Sequence, residues 1–301
     1  MGESAPSRST VDLMENNRPE ILRRVGRWVV IAGAILLVIS LAIVFVVSPQ
    51  GATVSSDPGA KPIAYWITLL PSAVGIALVL VLPWRTPPRP ATVGERRPFV
   101  ITTIALASLA VVFPLAAANV PLEGELYILG KLVLFMIIPG VLLLLVRRSV
   151  KIQWNWQPSR WWAPAIVVVV WTVLSQIAPW NPRFEMAGLD PTFVVVAAVA
   201  TALTAGVGEE LFYRRWLQTR LEAGLGAWPG IVVASLTFAL MHLGSHGTGD
   251  IVHDVARVIV VQGSFGLFLG VMWWRYRNLT ALIIVHIITN GWGVAAALLA
   301  S

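Results

Sequence analysis

Apolar residues in this chain come in long, nearly unbroken runs separated by short polar segments, without the alternation that marks a half-buried strand or a soluble helix. A helix crossing the hydrocarbon of a bilayer needs about 17 to 25 such residues. Nine runs qualify, at 28–47, 63–84, 99–120, 126–146, 161–178, 191–211, 227–243, 255–274 and 280–299. They are too long and too evenly apolar for barrel strands, and a helix satisfies its own backbone in lipid. The pattern therefore predicts an all-α fold: a polytopic transmembrane helix bundle of about nine spans.

Punctuation between the runs agrees. Asp190-Pro191 places a capping side chain before a proline at the first helical position of the sixth run. The segment Thr86-Pro87-Pro88-Arg89-Pro90 cannot be helical and reads as a linker. Trp154, Trp156, Trp161, Trp162, Trp273 and Trp274 fall near run ends, where an amphipathic ring suits the membrane–water boundary. Residues 1–27 are polar and lack an early apolar stretch, so they read as a cytoplasmic tail and not as a signal peptide. Three regions follow: a tail at 1–27, a five-span region at 28–178, and a C-terminal region at 191–301.

Composition reinforces the membrane assignment. The chain is 57% hydrophobic and 12% charged, about half the charge a soluble domain carries. It has no cysteine, which excludes disulfides, thiolate metal sites and a cysteine nucleophile. The net charge of +7 would suit nucleic acid, but the basic residues sit in the connecting segments, so no nucleic-acid partner is expected. One side collects Arg23, Arg24, Arg27, Arg96, Arg97, Arg147, Arg148, Arg214, Arg215, Arg220, Arg275 and Arg277; the other holds Lys61 and Arg183. The positive-inside rule then sets the N-terminus inside and the C-terminus outside a cell membrane, best matched by a bacterial plasma membrane. Lys131 and Arg257, near the outer ends of their spans, are expected to snorkel to the surface.

Glu209 and Glu210 are the two carboxylates placed inside a predicted span. Charge in lipid is costly, which marks them as candidates for function. Arg214 follows Glu210 by four residues and can neutralise it on the same face. Glu209 is rotated by about 100° and needs a partner from another helix. His242, one turn after Phe238, and His286, one turn before Asn290, are placed to supply it. Simpler roles exist for each: charges surfacing among headgroups, Phe238 as packing, and the His–Asn pair as interhelical glue. His246, His253, Asp250 and Asp254 lie among Gly244, Gly247 and Gly249, and read as a solvated outer loop in preference to a metal cluster.

The three patterns together resemble a known family. Glu209-Glu210-Leu211-Phe212-Tyr213-Arg214 is similar to the EExxxR motif of the CPBP family (CAAX proteases and bacteriocin-processing proteins), Phe238 to His242 to its FxxxH, and His286 to Asn290 to its HxxxN. The resemblance spans roughly residues 194–299. It implies an intramembrane endopeptidase in which Glu209 is the general base, assisted by His242, with Glu210 beside it. His286 and Asn290 would bind a metal or stabilise an oxyanion, and Arg214 and Phe238 would support the site. Glu209, His242 and His286 suit zinc or another divalent metal, while a metal-free, glutamate-activated water is equally compatible. The implied partners are the lipid bilayer and a peptide or protein substrate, prenylated or not. Two other functions share these residues: a non-enzymatic immunity or scaffold protein, and a proton- or metal-coupled transporter. Counting 1.5 Å per residue puts Glu209 and His286 in the cytoplasmic half and His242 nearer the outside, so a shared site requires the seventh helix to sit low or tilt.

Overall fold

A computed structural model describes residues 20–53, 62–82, 91–119, 124–146, 150–151, 161–184, 190–243 and 249–300. Among these residues nine helical rods follow one another, one for each apolar run. They are α1 (Glu20–Val47), α2 (Tyr65–Val81), α3 (Arg96–Asn119), α4 (Gly124–Lys131, continued by Leu132–Ile137 and Ile138–Leu145) and α5 (Trp162–Thr172, continued by Val173–Ile177). Then come α6 (Pro191–Thr201, continued by Ala202–Gln218 and Thr219–Leu225), α7 (Ala227–Leu240), α8 (Ile251–Tyr276) and α9 (Leu279–Ala300). Six of the nine, α1, α3, α4, α6, α8 and α9, are long and apolar enough to cross a membrane; α2, α5 and α7 are shorter apolar helices. The all-α expectation needs one small addition. Strand β1 (Thr92–Val93) pairs antiparallel with β2 (Val150–Lys151), Thr92 opposite Lys151, tying two connecting segments together.

Helix α8 is the centre of the bundle, with α1, α2 and α7 packed around it. In its most apolar window 67% of the residues are buried, against 17% in α1 and 28% in α6. Small residues permit the close approaches. A Cβ on Gly75 of α2 would stand 2.5 Å from the Phe268 ring of α8, and one on Gly33 of α1 would stand 2.4 Å from Val232 of α7. The outward faces are apolar, with Val38, Ile104, Leu145, Val169, Val196 and Leu299 all exposed. Charge lies inside and hydrocarbon outside, the inverse of a soluble domain and the arrangement that lipid favours.

Several charges and rings sit deeper than the sequence suggested. Helix α6 runs on past residue 211 to Leu225, because Tyr213, Leu217 and Leu221 recur every four residues and form a buried stripe. Arg214 and Arg220 are consequently buried helix residues and not loop charges, the Arg220 Nε donating to Thr102 Oγ1 of α3 at 3.0 Å. Trp273 is fully buried, donating its indole N–H to Thr219 Oγ1 at 3.0 Å, so it belongs to the core and not to the membrane boundary. Arg257 does not snorkel. It is buried, with Asp254 Oδ1 at 3.7 Å and the carbonyl of Thr53 accepting from its Nη1. Asp190 caps α6 as expected, accepting from the Thr192 N–H at 2.7 Å. Asp250 caps α8 in the same way, which starts that helix at Ile251. Trp154, Trp156, His246 and the proline-rich linker lie outside the described residues.

Candidate active site

The local winding of α6 places both glutamates. From Ala202 to Gln218 the helix is π-helical, with i→i+5 hydrogen bonds, far longer than the single-turn bulges in which this geometry is usually met and which often mark functional sites. Two glycines just before the carboxylates bring neighbouring helices close. A Cβ on Gly206 would lie 2.6 Å from Ile287 Cγ1 of α9, next to His286. One on Gly208 would lie 3.0 Å from the Met136 sulfur of α4, in the π-helical segment that follows Lys131. The absence of side chains at 206 and 208 is what lets α9 and α4 reach the acidic pair.

Glu209, Glu210 and Arg214 are completely buried. The partner Glu209 needed comes from α4: the Lys131 ammonium donates to Glu209 Oε1 at 2.6 Å. Lys131 is itself buried, its ammonium 4.7 Å from the centre of the Tyr127 ring, so the expected snorkelling does not occur. The other oxygen, Glu209 Oε2, lies 3.8 Å from His286 Nε2 and has no hydrogen-bond partner among the described residues. Glu210 holds that histidine from the opposite side, its Oε1 accepting from His286 Nδ1–H at 2.7 Å. Arg214 Nε stands 3.4 Å from Glu210 Oε2, the i, i+4 pairing read from the sequence. Two carboxylates thus face two cationic side chains, whose attraction offsets part of the cost of burying charge.

Aromatic rings wall this cluster. Phe238 of α7 is buried, with the Arg214 guanidinium carbon 4.9 Å from its ring centre and Tyr213 edge-on at 5.4 Å. The same ring lies 5.0 Å from the His242 imidazole and 6.0 Å from that of His286, so the two histidines are no farther apart than those distances laid end to end. His242 Nδ1–H donates to the Phe238 carbonyl at 2.9 Å, which turns its Nε2 away from its own helix. Glu209 is within electrostatic reach of both His242 and His286. The difference in depth expected between these residues does not keep them apart: α7 starts in a tight turn at Gly226, φ 114°, directly where α6 ends. Asn290, one turn beyond the buried His286, is exposed and does not join the buried charges.

The donor set does not fit a divalent metal. Glu209 Oε1 is occupied by an ammonium at contact distance, which would repel a cation. Among the described residues no three His, Asp or Glu side chains gather in a metal-holding arrangement, either here or at Asp250, His253 and Asp254.

Sequence reasoning missed two groups. Lys131 was visible as the single cation within its apolar run, one turn after Tyr127. Glu222, assigned to a loop, is buried in α6, paired with Arg277 and accepting from Gln218 Nε2 at 2.7 Å. Its signal was the spacing Arg214, Gln218, Glu222, a polar stripe beside the apolar one.

Residues 191–292, which carry all three motifs, match the family model of the Rce1-like type II CAAX prenyl endopeptidases. This segment is similar to an Rce1-like domain. It comprises about a third of the chain and begins at the first residue of α6, so Lys131 and the whole of α1 to α5 stand outside it. The match agrees with the resemblance to the CPBP family. No curated protein and no solved structure matches the chain. Within the Rce1-like domain, α6, α7 and α9 supply the motif residues, and α8 is the scaffold between the last two.

Proposed function

We propose that the protein is an intramembrane endopeptidase that hydrolyses peptide bonds with a water activated by Glu209. The observation that carries this reading is the 3.8 Å gap between Glu209 Oε2, which lacks a hydrogen-bond partner among the described residues, and His286 Nε2. A water seated beside these two atoms can donate one hydrogen to each, and two to four polar partners are what an internal water requires. With Nδ1–H committed to Glu210, the imidazole presents its Nε2 lone pair to that water.

In the reaction, Glu209 takes a proton from the water as its oxygen adds to the scissile carbonyl carbon. The carbonyl oxygen becomes the oxyanion of a tetrahedral intermediate. Glu209 then returns the proton to the departing amine nitrogen as the C–N bond breaks, leaving a carboxylic acid and an amine. The acid gives up its proton to the released amine, so that the products are a carboxylate and an ammonium. Glu210 holds His286 in one tautomer and orientation, and Arg214 holds Glu210. His242, its Nδ1–H held by the Phe238 carbonyl, is assigned to accept through Nε2 from a substrate backbone N–H, and the exposed Asn290 is given no step. The Rce1-like domain supports a prenylated C-terminal peptide as the substrate class. No step requires a metal.

The test is cleavage of a farnesylated peptide ending in a CAAX sequence by the purified protein in liposomes, read by mass spectrometry. Wild type is expected to release the C-terminal tripeptide and Glu209→Gln to lose between about 10²- and 10⁴-fold in rate. A Glu209→Gln protein as active as wild type would remove the basis of the mechanism, and loss of cleavage on chelator treatment would remove its metal-free form.

A further inference from the structure

Glutamate-activated hydrolysis needs a positive charge beside the developing oxyanion. In a metallopeptidase the metal ion supplies it. Here the position a metal would take, in contact with the carboxylate oxygen, is held by the ammonium of Lys131, 2.6 Å from Glu209 Oε1. Resting on the reading above, we propose that Lys131 is a catalytic residue and provides that charge from outside the Rce1-like domain.

Four observations converge on it. Lys131 and Glu209 are both buried, so their attraction is not dissipated by water. The α4 backbone converts from α to π winding at Leu132, the residue after Lys131, and Gly208 leaves space for that segment to lie against α6. The ammonium is steadied by the face of Tyr127, one turn earlier in α4. Arg214, the other buried cation paired with these two glutamates, is committed to Glu210 and covered by Phe238. Of the two, Lys131 alone contacts the carboxylate assigned to the water. As Glu209 accepts the water's proton it loses its negative charge, and its hold on the ammonium weakens at the moment the oxyanion forms. An ammonium has three donors on a flexible stem and can shift its hydrogen bond from Glu209 to the substrate oxygen without rearranging the helix. A charge released in step with the chemistry stabilises the transition state more than the ground state, which is what lowers a barrier.

The experiment measures kcat and KM for the farnesylated peptide in wild type, Lys131→Met, Lys131→Arg, Glu209→Gln and the double variant Lys131→Met/Glu209→Gln, alongside the thermal midpoint of each. Lys131→Met is expected to lose about 10²- to 10³-fold in kcat, the usual cost of one oxyanion-stabilising donor, with KM changed less than about threefold. Lys131→Arg should recover part of the rate. The double variant should have a higher midpoint than either single one, because no buried charge is left unpaired, and should remain inactive. A Lys131→Met protein that keeps its kcat while Glu209→Gln loses it overturns the role of Lys131 and leaves the endopeptidase standing. A loss in Lys131→Met carried wholly by KM or by the folded fraction, with no gain from arginine, also overturns it by showing a structural ion pair. Cleavage that survives in Glu209→Gln, or is absent in wild type, overturns both readings together.

Discussion

The two oxygens of Glu210 have different tasks, and so do those of Glu209. Glu210 accepts from His286 with one oxygen and faces Arg214 with the other, while Glu209 meets an ammonium with one and leaves the second toward the imidazole. The consequence is a division of labour between neighbours in sequence: one carboxylate fixes geometry and the other is open to chemistry. Removing a single member of a buried pair strands its partner, at a cost of about 3–5 kcal/mol. Arg214→Met is therefore expected to destabilise the protein by that amount in denaturant unfolding from detergent micelles. Pairing it with Glu210→Gln should recover much of the loss, and a double variant as unstable as the sum of the two would contradict the pairing. At this scale the sequence was informative about which residues matter and less so about whom they touch. The spacing of Glu210 and Arg214 is local and legible, because four residues along a helix return to one face. Lys131 was misread because its position near a run end has two physical solutions, snorkelling outward or pairing inward. The choice between them depends on Glu209 being close in space, 78 positions later in the chain.

Among the elements, α6 is the one whose form matters most. Its glycines at 206 and 208 act as notches into which α9 and α4 settle, and both notches lie just before the acidic pair. A methyl group at 206 would collide with the Ile287 side chain. Gly206→Ala is expected to lower peptide cleavage by about tenfold or more by moving His286 away from Glu209, since a displacement near 1 Å can cost 10²-fold. Gly206→Ala/Ile287→Ala should regain a good part of the rate, and failure of this rescue would argue that the glycine serves the winding and not the contact. The nine apolar runs forecast nine helices because length and hydropathy are properties of each segment alone. The long π-helical stretch and the extension of α6 to Leu225 were not forecast. Winding depends on how neighbours pack, and the polar stripe of Arg214, Gln218 and Glu222 resembles a loop until Arg277 and the Gly270 carbonyl are brought against it.

For the whole molecule, three short helices among nine leave a clear alternative about membrane crossing. Nine crossings put the two termini on opposite sides of the membrane, and six put them on the same side. The chain has no cysteine, so a single one can be introduced as a reporter without background. In intact cells, Ser301→Cys is expected to react with a membrane-impermeant maleimide and Ser4→Cys only after permeabilisation. Equal protection of both positions would mean that α2, α5 and α7 do not all cross. The central place of α8 also bears on how the molecule is made. Synthesis proceeds from the N-terminus at about 5–20 residues per second, and α8 is the last helix but one to emerge. Until it arrives, α1, α2 and α7 have no common centre to pack on, and the Thr53 carbonyl waits for an arginine still inside the ribosome. Nascent chains halted before residue 251 therefore leave the α8-facing sides of α1, α2 and α7 unpacked. A late-entering helix that must slot between its predecessors makes biogenesis, as much as thermodynamics, the constraint on what α1 and α2 may become.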